Sequence, residues 1–424
     1  MKIHIDIDCF FVSAIRIGEP ELEHKAVAVG GRSDTKIFDP EAKNQEVDFT
    51  NKGNFVPTFY KRYDKSDDDL GSFIDANGRI RGVITTSSYE ARKYGVKTAM
   101  SIAEALRLCP ELIVRAPNMS LYQKLSHELH TFLSAKIPLV EQASIDEFYG
   151  DLSGWVEEDD IAQFIDQLRV EIKQELKLPV SIGAAPTRYI AKLATNHAKP
   201  FGSLVITPQN FSKYVDPLDV ASFSGIGKSM QRKLQSARIT TLGEIRKRRG
   251  TLYSWGPYAQ EIYKRVNGES DAPIDVKQKR KSIGISRTFD VIYSRKEVRR
   301  RVHVLARHLA FGVYKLRVIP TTFTLSIGYE LGQKSHVRYG SSEIFIEKRL
   351  HHIVQKLFDE ADTQHRLGII RLSINCSSFT KDTHKTLALD GFDEFYDLKD
   401  LGECTFALRQ RYGLDVIKWG SELC

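Results

Sequence analysis

From its second residue the chain reads KIHIDIDCFF, in which Ile3, Ile5 and Ile7 alternate with His4, Asp6 and Asp8. A two-residue period marks a strand with one buried face. The pattern leaves a question, because the other face carries two carboxylates. On one motif alone, contact with water is the ordinary explanation. FFVSAIRIG then predicts a short helix, and KAVAVGG, residues 25–31, a second apolar strand ending in glycines. From Arg32 to Arg79 the periodicity dissolves. DKSDDDLGSFIDANGR lacks the alternating ligands and closing Glu of a calcium-binding loop and reads as solvated. NFVPTFYKRY, residues 54–63, interleaves aromatic and basic side chains in a way that suits stacking on bases, although packing of the excursion onto its host is the simpler account.

Order returns with RGVITTSSYEARKYGVKTAMSIAEALRLCP, a strand, a turn and amphipathic helices, followed by a helix through SLYQKLSHELHTFLSAKI. EQASIDEFYGDL, residues 141–152, predicts a β segment. A helix over 160–177, the strand LPVSIGAA and the helix TRYIAKLATNHAK complete an alternating pattern that implies a mixed sheet covered by helices. A smaller helical unit contains ASFSGIGKSMQRKL and YSWGPYAQEIYKRVNG, and the polar stretch over 271–281 reads as a linker. TTFTLSIGYEL and GIIRLSINCSSF, with the helix EKRLHHIVQKLFDEA between them, form a separate α+β module.

A length of 424 residues favours roughly two to four domains. Lys and Arg outnumber Asp and Glu by 62 to 54, a modest excess that suits a polyanionic partner. Its densest stretch is residues 276–308, where Lys277, Lys279, Arg280 and Lys281 lead into a predicted strand, a good contact surface for phosphates. The five cysteines, Cys9, Cys109, Cys376, Cys404 and Cys424, form no CxxC pair, which fits reduced thiols rather than zinc. No apolar run is long enough to span a bilayer, so a soluble, intracellular protein is expected.

SIDEFYG contributes Asp146 and Glu147. Strand alternation sends neighbouring side chains to opposite faces, so both serve one site only at a strand end or hairpin tip. With Asp6 on an adjacent strand, three carboxylates converge, and such a cluster needs cations. Oxygen-only ligands favour magnesium, and two ions can bridge the attacking and leaving oxygens of a phosphoryl displacement. TTSSYEARKYG offers Thr86, Tyr89 and Arg92 around one anion, and NHAKPFG places Lys199 at a helix end. FSGIGKSM is not a P-loop, because the required earlier glycine falls at Ser222. Gly225 and Gly227, with Lys228 beside them, instead suit a helix-hairpin-helix whose amides cradle a DNA phosphate.

IDIDCFF, GVITTSSYEARKYGVKTAMS, SIDEFY, AKLATNHAKPFG, FSGIGKSM, WGPYAQEIYKRVNG and KSIGISRTF together resemble, in family order, the Y-family DNA polymerases, most closely the bacterial DNA polymerase IV branch. The resemblance implies an α+β multidomain right hand. Its palm takes 1–9 and 117–203, its fingers 10–116 with an insertion at about 32–79, and its helix-hairpin-helix thumb 204–272. A linker over 273–283, a little finger over 284–380 and a tail over 381–424 complete it.

The resemblance further implies that Asp6, Asp146 and Glu147 are catalytic metal ligands, helped by the carbonyl of Ile7. Asp8 matches a residue that is not a principal ligand. Phe11 matches the steric gate against ribonucleotides. Phe10, Thr86, Tyr89, Arg92 and Lys199 match nucleotide contacts, and Lys279, Arg280, Lys281 and Arg287 fall on the DNA side. The implied cofactor is two magnesium ions, replaceable by manganese. The implied partners are primer-template DNA and deoxynucleotides, bound by a monomer in the cytoplasm at the nucleoid. Three features depart from the pattern: the long excursion, SIGAAPTRYIAK in place of SxGIxxNK, and HKTLALDGF. The last, with Leu387, Leu389 and Phe392, is a loose form of the motif that binds the sliding clamp. The competing readings are a catalytically degenerate DNA-binding accessory protein and a palm-type nucleotide cyclase.

Overall fold

The N-terminal alternation forms β1 (Lys2–Ile7), the middle strand of a five-stranded sheet, and both of its faces are buried. The computed structural model describes residues 1–33, 35–39, 70–75, 78–276, 280–341, 343, 345–380 and 392–423, without the side chains of 392–400. The described residues fall into two units, one holding 1–31 and 70–276 and the other 32–39 and 280–423.

In the first unit β1 is followed by α1 (Phe10–Gly18), β2 (Val27–Gly31), β3 (Val83–Ser87), α2 (Tyr89–Lys93), α3 (Ile102–Leu108), β4 (Ile113–Arg115) and α4 (Met119–Lys136). Next come β5 (Leu139–Gln142), β6 (Glu147–Asp151), α5 (Ile161–Leu176), β7 (Val180–Ala185), α6 (Arg188–Ala198) and β8 (Ser203–Val205). The main sheet runs β5-β6-β1-β7-β8, with β1 antiparallel to both neighbours. The isoleucine face of β1 packs on Leu125, Leu129 and Leu133 of α4 and on Ile161, Ile165, Leu168 and Ile172 of α5, rows set by helical periodicity. The opposite face lies under α6. Gly183, opposite His4, makes that approach possible, because a Cβ there would stand 2.2 Å from the Thr195 amide nitrogen. A small sheet, β3-β2-β4, buries Phe73 against α3. The helices α7 (Phe211–Val215), α8 (Lys228–Ser236), α9 (Leu242–Lys247), α10 (Arg249–Ser254) and α11 (Pro257–Val266) share a separate core.

The second unit contains β9 (Ser282–Ile292), α12 (Arg295–Leu316), β10 (Ile319–Tyr329), β11 (Lys334–Gly340), α13 (Glu347–Ala361), β12 (Ile369–Thr380) and α14 (Phe392–Tyr412). Its antiparallel sheet, β11-β10-β12-β9, is covered on one face by α12 and α13. Two expectations are corrected here. The start of the excursion does not pack with the first unit as an insertion in the fingers, because Ile37 and Phe38 are buried in the second unit's core. Phe38 meets Phe289 edge-on, Arg301 covers both rings, and Arg300 donates to the Phe38 carbonyl at 2.7 Å. Residues 40–69, including the aromatic-basic stretch at 54–63, lie outside the described residues.

The chain beyond 391 is not a tail either. Phe406 of α14 packs on Phe311 and Tyr314 of α12. Arg307, 1% exposed, donates to Glu422 at 2.8 Å, to Asp415 at 3.0 Å and to the Leu414 carbonyl at 2.6 Å. Arg409 forks onto buried Glu347 at 2.9 and 2.7 Å, and the Trp419 indole donates to the same carboxylate. HKTLALDGF, apart from the backbone of Phe392, lies outside the described residues.

Removing one partner of a buried ion pair strands the other's charge. Arg409→Met should therefore cost about 3–5 kcal/mol of the second unit's stability, read from urea unfolding, and Arg409→Met combined with Glu347→Met should recover most of it.

Candidate active site

The sheet register sets the site. Asp6 lies directly opposite Glu147 on β6, and Asp146 occupies the turn just before that strand, where its carbonyl accepts the Ile7 amide at 3.0 Å. Breaking the alternation at this turn lets two consecutive carboxylates serve one place. Ser144 shapes the turn, because its oxygen accepts the amides of Asp146 and Glu147 while its hydroxyl bonds the Asp146 carboxylate. Neighbours on the same face are His4, Tyr149, Ser181 and Gly183.

The electrostatics of the three acids differ. Burial pushes Asp6 up to about 6, Asp146 and Glu147 add to that push, and Lys199 opposes it with its ammonium 2.7 Å from Asp6 Oδ1. Burial also raises Asp146. Burial works against ionising Glu147, but His4 and Lys192 outweigh it and hold the carboxyl near 2. Lys192 Nζ lies 2.6 Å from both Glu147 oxygens. His4 is pushed down to about 4 by its burial, with Nδ1 at 3.0 Å from the Thr195 hydroxyl. The donors are all oxygens, and two of the acids are destabilised in their charged form, a chemistry that suits hard divalent cations. Among the described residues no three acidic, His or Cys side chains are already drawn together as a metal cage, and two ammonium groups sit on the acids instead.

Of the residues expected to contact nucleotide, the structure brings Tyr89 and Arg92 together. Tyr89 opens α2, Arg92 stacks over its ring at 4.9 Å, and Ser88 caps the helix by accepting the Ala91 amide. Thr86 lies half-buried on β3, opposite Val29. Phe11 stacks on Tyr122 of α4 at 4.2 Å, beside buried Phe10.

Asp8 has a larger part than its motif suggested. Only 3% exposed, it accepts the Tyr89 hydroxyl at 2.9 Å, the Ser181 hydroxyl at 2.9 Å and the Phe201 amide at 2.7 Å. One carboxylate thus joins β1 to α2, β7 and the turn after Lys199. Arg188, where the sequence departs from SxGIxxNK, forks onto Glu141 at 2.9 and 2.8 Å and donates to the Pro273 carbonyl at 3.2 Å, fastening the start of the linker to the sheet.

In the helical core, buried Ile226 separates Gly225 and Gly227. Gly225 has φ +101°, which only glycine adopts freely, and Gly227 caps α8 ahead of Lys228. In the second unit Lys281 is exposed and Arg280 half-buried, while Lys279 lies outside the described residues. Arg287 follows the register of Ile283 and Ile285, the face covered by α12, and its charge helps depress buried His308. The arginines at 295, 299, 300 and 301 are held in ion pairs with Asp362, Asp359 and Glu297. The open face of the sheet instead presents Lys334, Arg338, Arg371, Ser286, Ser326, Ser373 and Asn375, with exposed Asp290 towards the end of β9. Sequence reading passed over Arg338 and Arg371, although strict alternation with Val337, Leu372 and Ile374 places them there.

Models of the impB/mucB/samB family match residues 5–196, and those of its C-terminal domain residues 280–389. DNA polymerase IV of Pseudomonas paraeruginosa is 31% identical over 68% of this chain and 70% of its own. That of Glaesserella parasuis is 32% identical over 68% and 69%. The chain belongs to the Y-family DNA polymerases. Its fold agrees with a Y-family chimera of Dbh and Dpo4 at a TM-score of 0.71 and 21% identity, covering 90% of this chain and 99% of that one. It also agrees with DinB from Sulfolobus solfataricus at 0.53 and 20% identity, covering 89% and 98%. Palm, fingers, thumb and little finger are therefore the terms for this polymerase's parts. Residues 392–423 lie beyond the family match.

Asp8→Ala should leave the Ser181 hydroxyl and the Phe201 amide buried without an acceptor, at about 1–3 kcal/mol each. The expected result is a lower melting midpoint together with a raised KM for nucleotide, measured by thermal unfolding and steady-state primer extension.

Proposed function

We propose that this DNA-directed DNA polymerase adds deoxynucleotides to a primer 3′-hydroxyl at the tip of β1 and β6, with Asp6, Asp146, Glu147 and the Ile7 carbonyl holding two magnesium ions, or manganese in their place. The observation that carries the reading is the register of Asp6 against Glu147 with Asp146 in the adjoining turn. When bound, such ions supply the positive charge that lowers the hydroxyl's pKa and stabilises the triphosphate in an in-line displacement. The chain's own groups do the rest. Tyr89, Arg92 and Lys199 orient the triphosphate, Thr86 stands beside them, and Phe10 and Phe11 form the wall under the sugar. Gly225, Gly227 and Lys228 hold a backbone phosphate without reading sequence, and the open face of the little-finger sheet, entered through Lys279, Arg280 and Lys281, follows the duplex.

The activity is translesion synthesis, and the DNA polymerase IV relatives support it. No helix among the described residues is long and apolar enough to cross a membrane. A cytoplasmic, nucleoid-bound monomer is part of this proposal. The clamp motif around Leu387 and Leu389 belongs to this proposal as a contact with the sliding clamp.

Primer extension with magnesium and single nucleotides tests the reading. Asp146→Asn should lower kcat at least about a thousandfold, a loss of several kcal/mol of charge stabilisation, with primer-template affinity nearly unchanged. Activity retained in that variant would remove Asp146 from the site. Phe11→Ala should raise ribonucleotide incorporation by about two orders of magnitude, about 3 kcal/mol of lost discrimination, measured as the ratio of kcat/KM values for the two sugars.

A further inference from the structure

Three carboxylates on one sheet face pose a charge problem in the ion-free protein, and α6 answers it. Lys199 sits at 2.7 Å from Asp6, and Lys192 spans both oxygens of Glu147 at 2.6 Å. Lys192 projects from α6, and Lys199 is the extended residue that caps the end of the helix, so both ammonium groups come from one helix and its cap. Gly183 lets α6 lie directly on β7. Asp146, by contrast, is served by a serine hydroxyl.

We propose that Lys192 is a displaceable counter-cation that blocks the Glu147 arm of the metal centre until nucleotide arrives, coupling ion loading to triphosphate binding. This rests on the two-ion reading above and goes beyond it. An ion that takes Glu147 must first displace an ammonium from two short, charge-assisted hydrogen bonds. An ammonium that stays close afterwards repels the ion. The Lys192 side chain reaches solvent, being 25% exposed. A triphosphate entering the same cleft gives both lysines a new anionic partner and so releases the acids. Ion and nucleotide then strengthen each other's binding, and that coupling is reciprocal. Lys192 acts through Glu147 and is a positioning residue.

The test uses the full chain with a dideoxy-terminated primer-template and Mn2+ as the probe. Free Mn2+ is read by electron paramagnetic resonance with and without an α,β-imido deoxynucleotide, after subtracting the analogue's own chelation. Wild type should bind Mn2+ about tenfold more tightly with the analogue than without, a coupling of the usual allosteric size. Lys192→Gln should bind Mn2+ without the analogue about as tightly as wild type does with it. Lys192→Arg, which keeps the charge and can fork onto both oxygens, should behave like wild type, and matching melting midpoints establish that all three are folded. Should Lys192→Gln leave the nucleotide-free affinity unchanged, or Lys192→Arg lose the coupling as fully as Lys192→Gln, the inference is overturned. Wild type binding no Mn2+ even with the analogue would overturn the two-ion reading itself.

Discussion

Mutual repulsion among Asp6, Asp146 and Glu147 is the constraint around which the palm is organised. A fold that brings acids from a central strand and a hairpin turn onto one face needs positive charge there, and Lys192 of α6 and Lys199, the residue that caps it, supply it. That requirement extends outward. To reach the acids, α6 must lie hard against the sheet, which calls for glycine at 183 and a hydroxyl at 195 to receive buried His4. To keep the fingers within reach of the same centre, Asp8 gathers Tyr89, Ser181 and the amide of Phe201. The carboxylate that the motif leaves without a catalytic part is thus the one that joins the pieces.

The second unit solves the opposite problem. The open face of its sheet carries Lys334, Arg338 and Arg371, with Asp290 towards one edge, while cationic side chains on the helical side are neutralised within the unit. Arg307 and Arg409 are deeply buried with dedicated carboxylates. A high count of basic residues in this region therefore overstates the charge available to a polyanion. Sheet register, more than the density of Lys and Arg, decides which cations face outward.

Much of this was legible in the sequence. The period of residues 2–7 marked β1, and the SIDEFYG carboxylates required a turn that the structure has between β5 and β6. Local periodicity also gave α4, α5, α6 and the elements of the second sheet. Features that depend on distant partners were not legible. Ile37 and Phe38 are two apolar residues in a polar stretch, and nothing local says that their core lies some 250 positions further on. Arg307, Arg409, Glu347 and Glu422 read as solvent-facing because burial of a charge depends on a partner far along the chain. Lys192 stood inside a quoted motif without being singled out, since a lysine on a helix is ordinarily solvated and only the register of β6 brings Glu147 beneath it.

The Arg307–Glu422 pair spans 115 positions of sequence. At ribosomal speeds of 5–20 residues per second, roughly 6 to 23 s separate the synthesis of the guanidinium from that of its counter-ion. Throughout that interval Arg307 of the nascent little finger lacks the carboxylates it is buried with, so burial of α12 waits on the residues that follow α14. A frameshift or premature stop between residue 392 and Glu422 would release a chain with a complete first unit and an unpaired Arg307 in the second, a natural substrate for quality-control proteases.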